Sequence, residues 1–365
     1  MNTGKKDIAL CIVFMLLLAG GFMLCVFLPK DKYSYSERRM LSPMPELSAK
    51  SVWSGRFMSD FETYAADAFP FREGFRRIKA LTALKVFLRQ DNNGIYLADG
   101  FLAAMEYPVN EDSLMRAAGR FSYICEKYLT DENKVYLSVI PDKNCFLAKE
   151  SGHPAMDYGN FEKRMAELAG FAEYISISDL LEKDDYYRTD THWRQEKIGD
   201  VAERLAAAMG AELSRDYETH RLEQDFYGVY HGQAALPLGP DELWYVTGED
   251  INNCQVYDWQ NEKEIPVYNM EKAAGRDPYE MFLSGSLSLI TIKNPGARTD
   301  KKLVMFRDSF GSGIAPWFIS GYSQITLVDI RYLHPDMLGQ FIDFDACDVL
   351  FLYSTLVLNH SDTLK

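Results

Sequence analysis

Positive charge is scarce in this chain of 365 residues. Lys and Arg number 39 against 53 Asp and Glu, giving a formal net charge of -14 and a pI near 5.0. A general nucleic-acid binder must neutralise phosphates with a basic face, so that class is set aside. Cysteine is sparse as well: of six, Cys11 and Cys25 lie in an apolar N-terminal run. Cys125, Cys145, Cys254 and Cys347 are scattered, without the CxxC spacing of a metal site, and buried thiols are their expected state. There are six histidines, and none lies at i+3 or i+4 from His192, which disfavours a histidine-based metal centre. Internal repeats and low-complexity tracts are missing, which excludes solenoids and disordered tails. Long apolar runs are missing too, with one exception.

The exception is "IALCIVFMLLLAGGFMLCVFLP", uncharged from Ile8 to Pro29. At about 1.5 Å per residue it spans a hydrocarbon core of roughly 30 Å. It exceeds the usual h-region of a signal peptide, and no small-x-small cleavage site follows it. Lys5 and Lys6 favour an inside N-terminus, opposed by Lys30 and Lys32 on the far side. The expectation is a single-pass anchor over residues 1–30 with the remainder extracytoplasmic; a cleaved signal peptide is the alternative. Either way the bulk of the chain is exported.

Residues 31–52 are polar with prolines and read as a tether. Phe57, Phe61 and Tyr64 then share one helical face; Phe75, Ile78, Leu81, Leu84 and Leu88 share another. The cluster Arg72, Arg76, Arg77 and Lys79 reads as a solvated face, with contact to anionic lipid as the lesser reading. A membrane-proximal segment over 31–90 therefore precedes a main domain over 91–365. In that domain "NNGIYLADGFLA" reads as two short strands around a turn. Helices near 111–129, 160–170 and 198–209 alternate with apolar runs at 134–141, 174–180, 301–306, 323–330 and 348–356. This alternation implies α/β architecture with a mostly parallel sheet covered on both faces. The stretch 214–290 is irregular and reads as an insertion. Its Tyr217, Tyr227, Tyr230, Trp244, Tyr257 and Trp259 suit either sugar stacking or the insertion's own core.

In an open α/β sheet, function gathers at the carboxyl ends of strands. The run "KKLVMF" leads into "RDSFGSG", which presents Ser309 at the start of a helix, where backbone N–H groups and the dipole favour a developing oxyanion. Serine is a weak nucleophile until a base takes its proton. The candidate base is His192 in "YYRTDTHWRQEKIGD", with Asp190 to fix its tautomer. In an extended backbone residues i and i+2 point the same way, which would bring Asp190 to His192. Trp193 would pack the ring and limit water. His153, His220, His231, His334 and His360 are competing bases, and Asp-x-His alone also suits a surface loop or two metal ligands.

"DTHW" with its following helix, and "RDSFGSGIAPWFISGYSQITLVDIRYL" after an apolar strand, resemble the DHHW family, which is related to SGNH-hydrolase-like alginate O-acetylation proteins. "SERRMLSPMPELS", "DAFPFREGF", "NNGIYLADGFL", "VIPDKN" and "DPYEMFLSG" agree in order, so the resemblance covers nearly everything after the apolar run. It implies an SGNH-hydrolase-like three-layer α/β/α sandwich with a mostly parallel sheet, preceded by the transmembrane helix. It also implies a Ser-His-Asp triad with Asp and His upstream of Ser. By motif, Ser309 is the nucleophile, His192 the base and Asp190 its partner. Arg331 in "DIRY" matches an arginine that relatives place near the site; with Trp193 it is the candidate substrate contact.

Related proteins move acetyl groups onto exopolysaccharide outside the cell, with a multi-pass membrane O-acyltransferase supplying acetyl. The expected activity is therefore extracytoplasmic O-acetyl transfer to cell-wall or exopolysaccharide glycans. No bound cofactor or metal is expected, the acetyl coming from a substrate or from that partner. A carbohydrate acetyl esterase, or a catalytically weak glycan-binding scaffold, stays open. The sequence departs from the pattern at Thr191, where the family has histidine, and at Arg307-Asp308-Ser309, where SGNH enzymes carry Gly-Asp-Ser. The asparagine that helps form their oxyanion hole has only positional candidates, Asn294 and Asn359, with Gly285-Ser286 as a further one.

Overall fold

The structure, a computed structural model, describes residues 3–34 and 36–365. Lys5, used above for orientation, has its side chain outside the described part. The chain divides into two compact units: Met1–Arg89 with Ala235–Pro237, and Gln90–Ala234 with Leu238–Lys365.

The first unit begins with a helix, Thr3–Phe27, whose portion Lys6–Phe27 is long and apolar enough to cross a membrane, as an anchor or as a signal sequence. The segment read as an extended tether instead contains a small hairpin, Tyr33–Ser34 against Arg39–Met40, and a short helix, Ala49–Trp53. Helices Arg56–Asp67 and Arg72–Leu81 follow. Asp67 fastens the hairpin to them by accepting two guanidinium bonds from Arg39, at 2.9 and 2.6 Å, and the Ser42 amide at 3.0 Å. That pairing holds the Asp67 carboxyl far below the usual carboxylate range. The arginine cluster is only half the solvated face expected of it: Arg77 and Lys79 are exposed, while Arg72 and Arg76 turn to Glu37 and Glu73.

The second unit is built on one eight-stranded sheet. In chain order its strands are β1 (Lys134–Ile140), β2 (Glu173–Tyr174), β3 (Gln255–Asp258), β4 (Lys263–Ile265), β5 (Leu289–Lys293), β6 (Lys302–Arg307), β7 (Gln324–Val328) and β8 (Cys347–Ser354). Their spatial order is β4-β3-β5-β7-β6-β8-β1-β2. From β7 through β2 every pairing is parallel; β5, β3 and β4 add an antiparallel flank.

Strand alternation divides the apolar residues between two cores. Leu303 and Met305 of β6 face one cluster with helices α3 (Gly199–Ala208) and α4 (Phe310–Phe318), through Val201, Leu205, Ile314 and Phe318. Val304 and Phe306 face the other, with α1 (Glu111–Tyr128) and α2 (Tyr158–Leu168), through Leu114, Phe121, Phe161 and Met165. The result is a three-layer α/β/α sandwich. Helix α1 starts where it does because the Asn110 side chain accepts the Ser113 amide, with Glu111 and Asp112 complementing the dipole in the first turn.

The expected strand at 174–180 is shorter than its composition suggests. Only Glu173 and Tyr174 pair with β1, and Ser178–Leu180 is a 3-10 turn. The strand lies at the sheet edge, and Ile175 and Ile177 turn into the core instead of extending the ladder. The register sets one edge for chemistry. Phe306 lies beside Val328 and Phe351, and Ile140 beside Ser354, so the segments after β1, β6, β7 and β8 emerge together. Antiparallel β5 starts opposite Val328, which brings the 284–288 loop to the same edge.

Candidate functional site

At that edge Ser309, His192 and Asp190 form one hydrogen-bonded chain. The Ser309 hydroxyl lies 2.7 Å from His192 Nε2, and His192 Nδ1 lies 2.6 Å from Asp190 Oδ1. Ser309 sits at the start of α4 and is partly exposed, while Asp190 is fully buried. In this arrangement a hydroxyl proton can pass to Nε2 while the carboxylate holds Nδ1–H.

Asp190 and His192 meet by a route other than the extended backbone expected. Residues 188–192 bend. The turn is closed by the bridge between Tyr186 and Trp193 and by the Tyr187 amide donating to the His192 carbonyl at 3.1 Å. Asp190 Oδ1 also accepts the His192 amide at 3.1 Å, so the carboxylate organises the turn that presents its own imidazole. Its other oxygen accepts the Val229 amide at 2.8 Å.

The neighbouring Asp241 fixes the turn's approach, accepting from the Arg188 amide at 2.9 Å and from the Thr189 amide and hydroxyl at 2.7 and 2.6 Å. Gly228 lies against Asp190 so closely that a Cβ there would be 2.3 Å from the Asp190 Cβ. Sequence reading found none of Asp241, Gly228 and Val229. Their signal is only spatial.

Tyr279 was missed as well. Its ring lies flat on the imidazole, centroids 3.8 Å apart and planes 8° apart, and Phe310 approaches at 4.9 Å. The stack restricts the imidazole to one orientation. It also offers a π face to an imidazolium, worth roughly 1–2 kcal/mol at a desolvated site. The Tyr279 hydroxyl is buried without a hydrogen-bond partner, and burial pushes it well above its ordinary range, so it stays protonated.

The other expected residues fall as follows. Trp193 is fully buried, donates its indole N–H to the Phe310 carbonyl at 3.1 Å and packs edge-on against that ring. It anchors the His192 turn to α4 and has no surface to offer a substrate. Arg331 is spent on Asp329 through bonds of 2.9 and 2.6 Å, on the segment after β7. Arg307 is wholly buried, donating to the Asp308 and Leu287 carbonyls at 3.3 Å each.

Asp308 accepts the Phe310 amide at 3.0 Å and ties α4 to β8 through the Ser354 amide and hydroxyl, at 2.8 and 2.6 Å. The Gly311 amide bonds the Asp308 carbonyl. Two amides of the helix's first turn, expected for an oxyanion, are therefore engaged.

Among the oxyanion candidates, Asn294 lies at the opposite sheet edge and is bonded to Asp250 and to the Ile319 carbonyl. Asn359 bonds the Asn110 amide and the Pro108 carbonyl. Gly285-Ser286 lies on a loop at the edge that carries Ser309. The competing histidines have other contacts: His360 to Glu106, His153 to Ser151 and the Gln90 carbonyl, His220 to Thr247, His334 to the Asp336 amide, and His231 against Tyr227. Of the aromatic residues in 214–260, Tyr227 and Trp259 are exposed while Tyr230 is buried. A cavity of about 710 Å³ opens beside Asn294 and Lys301, away from Ser309, and carries none of the three chain members. Among the described residues no group of three or more His, Cys, Asp and Glu could hold a metal ion. Burial pushes the thiols of Cys125 and Cys145 up to about 12 and those of Cys254 and Cys347 up to about 11.

Two buried charges follow β1. Lys143 donates to the Tyr187 carbonyl at 2.7 Å, beneath the His192 turn, and burial pushes its ammonium down to about 7 against the opposing pull of Asp190, Asp241 and Asp142. Asp142 accepts from Tyr158 and Thr355 at 2.8 Å each and from the Asn144 amide at 2.9 Å, yet burial still pushes it up to about 6. The unfolded carboxyl releases its proton near 3.8, so between about 4 and 6 the folded chain binds the extra proton. This group's contribution is fully present below about 4 and is lost as pH rises to about 6. Asp142→Asn is expected to flatten that segment of the melting-temperature profile relative to the parent; parallel profiles would show that Asp142 titrates ordinarily.

The architecture recurs among solved structures. No protein-family model and no curated protein matches the sequence. Among solved structures, a DHHW family protein from Eubacterium siraeum superposes with a TM-score of 0.61 at 19% identity, covering 73% of this chain and 93% of that one. PatB1 of Bacillus cereus superposes at 0.57 and 17% identity, covering 72% and 96%, and a second PatB1 structure carries a sulfonyl adduct. The O-acetyltransferase domain of AlgJ from Pseudomonas putida matches more loosely, at 0.45 and 14%. The fold is therefore the SGNH-hydrolase-like sandwich with a mostly parallel sheet, shared with a DHHW family protein.

Proposed function

We propose that the protein is an extracytoplasmic serine-dependent O-acetyltransferase acting on cell-wall or exopolysaccharide glycans. The observation that carries this reading is the Ser309–His192–Asp190 chain, with links of 2.7 and 2.6 Å at the carboxyl edge of the sheet. The motif resemblance supports the acetyl and glycan reading, and the apolar N-terminal helix, as an anchor or a signal sequence, supports the location.

Ser309 Oγ attacks the acetyl carbonyl as its proton passes to His192 Nε2. Asp190 holds Nδ1–H, and the Tyr279 face stabilises the imidazolium. The oxyanion of the tetrahedral intermediate is assigned to the Ser309 amide, with the Ser286 amide on the 284–288 loop as the candidate second donor, the Gly285 amide being engaged on the Phe282 carbonyl. Collapse breaks the bond to the donor's oxygen, which takes the proton from His192 and leaves acetyl-Ser309. A sugar hydroxyl then attacks this ester while giving its proton to His192, and the second collapse returns that proton to Ser309. No cofactor enters. The acetyl comes from a small ester or from a multi-pass membrane acyltransferase, and Tyr227 and Trp259 are the exposed rings suited to the sugar.

The test supplies the purified chain with an acetyl ester and a glycan acceptor and follows both products. Acetylated glycan is the expected product. Free acetate alone would replace transfer by hydrolysis, and neither product, together with an unlabelled Ser309, would leave a binding scaffold.

A further inference from the structure

The helix Arg72–Leu81, continued by one π-type turn to Val86, exposes a large apolar stripe. A surface helix ordinarily buries its apolar stripe and exposes its charges. Here the side chains of Arg72 and Arg76 are tucked inward to Glu37 and Glu73, Arg76 being only 14% exposed, and Ala80 and Ala83 are buried with them. Phe71, Phe75, Ile78, Val86 and Phe87 face outward, Ile78 being 60% exposed and Phe87 71%. A helix keeps that orientation only where its outer surroundings are apolar, and contiguous exposed patches of this kind mark interaction surfaces.

Two observations select a bilayer as those surroundings. The same compact unit carries Lys6–Phe27, the one helix among the described residues long and apolar enough to span a membrane. Lys79, Lys85 and Arg89 are exposed around the stripe, where anionic head groups would attract them. An apolar face rimmed by basic side chains is the composition of a helix lying in the interface plane.

We propose that Arg72–Val86 is an interfacial helix, its Phe71, Phe75, Ile78, Val86 and Phe87 face seated at the boundary between lipid head groups and acyl chains. The helix gives the first unit a second membrane contact besides Lys6–Phe27. This inference rests on the anchor reading of that apolar helix and does not depend on the serine chemistry.

The test places p-benzoylphenylalanine at position 75, 78 or 87 of the full chain in nanodiscs containing anionic lipid, with position 132, an exposed Glu on the second unit, as control. After irradiation, lipid adducts are expected as the dominant product at 75, 78 and 87 and absent at 132. Crosslinked dimer would show a second copy covering the face. An intramolecular adduct would show the chain covering it, and no adduct would show water; each of these overturns the proposal. In parallel, Phe75→Glu with Ile78→Glu is expected to abolish lipid adduct at 87 while leaving ester turnover unchanged. Retained adduct at 87 would mean the stripe does not act as one surface.

Discussion

Ser309→Ala is expected to lower ester turnover by about 10⁴-fold or more, with the melting temperature close to the parent's. The size follows from what is lost. Without Oγ there is no covalent intermediate, and His192 has nothing to deprotonate. Only binding and oxyanion stabilisation would remain, worth roughly 10³–10⁴ over water in comparable sites. Asp190→Asn is expected to cost about 10⁴-fold through a different failure, because a side-chain amide can turn its NH₂ toward Nδ1 and favour the wrong imidazole tautomer. The pair of variants is informative together. Ser309→Ala abolishes labelling by a serine-directed sulfonyl fluoride outright, whereas Asp190→Asn slows it. Turnover and labelling at parental levels in Ser309→Ala would remove the serine from the chemistry.

The two halves of the site were unequally legible. Ser309 could be found because an apolar strand ending in Arg-Asp-Ser and running into Gly-Ser-Gly has few other places to go in an α/β sheet. His192 and Asp190 were legible as a pair but not in their geometry, since a turn closed by Tyr186 and Trp193 leaves no periodicity to read. The supports were illegible for a physical reason: they arrive from far along the chain. Val229 lies 39 residues from Asp190, Asp241 lies 52 from Thr189, and Tyr279 comes from the irregular insertion, in a motif that carried the resemblance but gave that residue no role.

The fold divides in the same way. Helices α1, α2 and α3 announce themselves by their spacing, and the parallel strands by their apolar runs. The antiparallel flank does not. Gln255–Asp258 and Lys263–Ile265 are too polar and short to signal strands, and they pair only because β5 gives them an edge to extend.

Gly228 carries the second large prediction, and it tests the support rather than the reacting groups. Its backbone lies outside the left-handed region, so a side chain would be tolerated by φ and refused only by space. That refusal is severe. A Cβ would sit 2.3 Å from the Asp190 Cβ and 2.4 Å from its Cα and N, backbone that cannot swing aside as a flexible side-chain tip could. Relief to ordinary van der Waals contact requires a shift of about 1 Å between the two segments, and a misplacement of that size at a reacting constellation costs on the order of 10²-fold in rate.

The displaced segments are held together by the Gly228 amide on Thr189 Oγ1 at 2.9 Å and the Val229 amide on Asp190. Gly228→Ala is therefore expected to lower turnover by about 10²-fold and sulfonyl labelling in parallel, and Gly228→Val by more. Gly239→Ala, at a glycine with open space around it, should leave both near the parental level. A Gly228→Ala protein that stays folded and labels as fast as the parent would show that the Asp190 turn tolerates the shift. The close packing of Gly228 would then matter to stability alone.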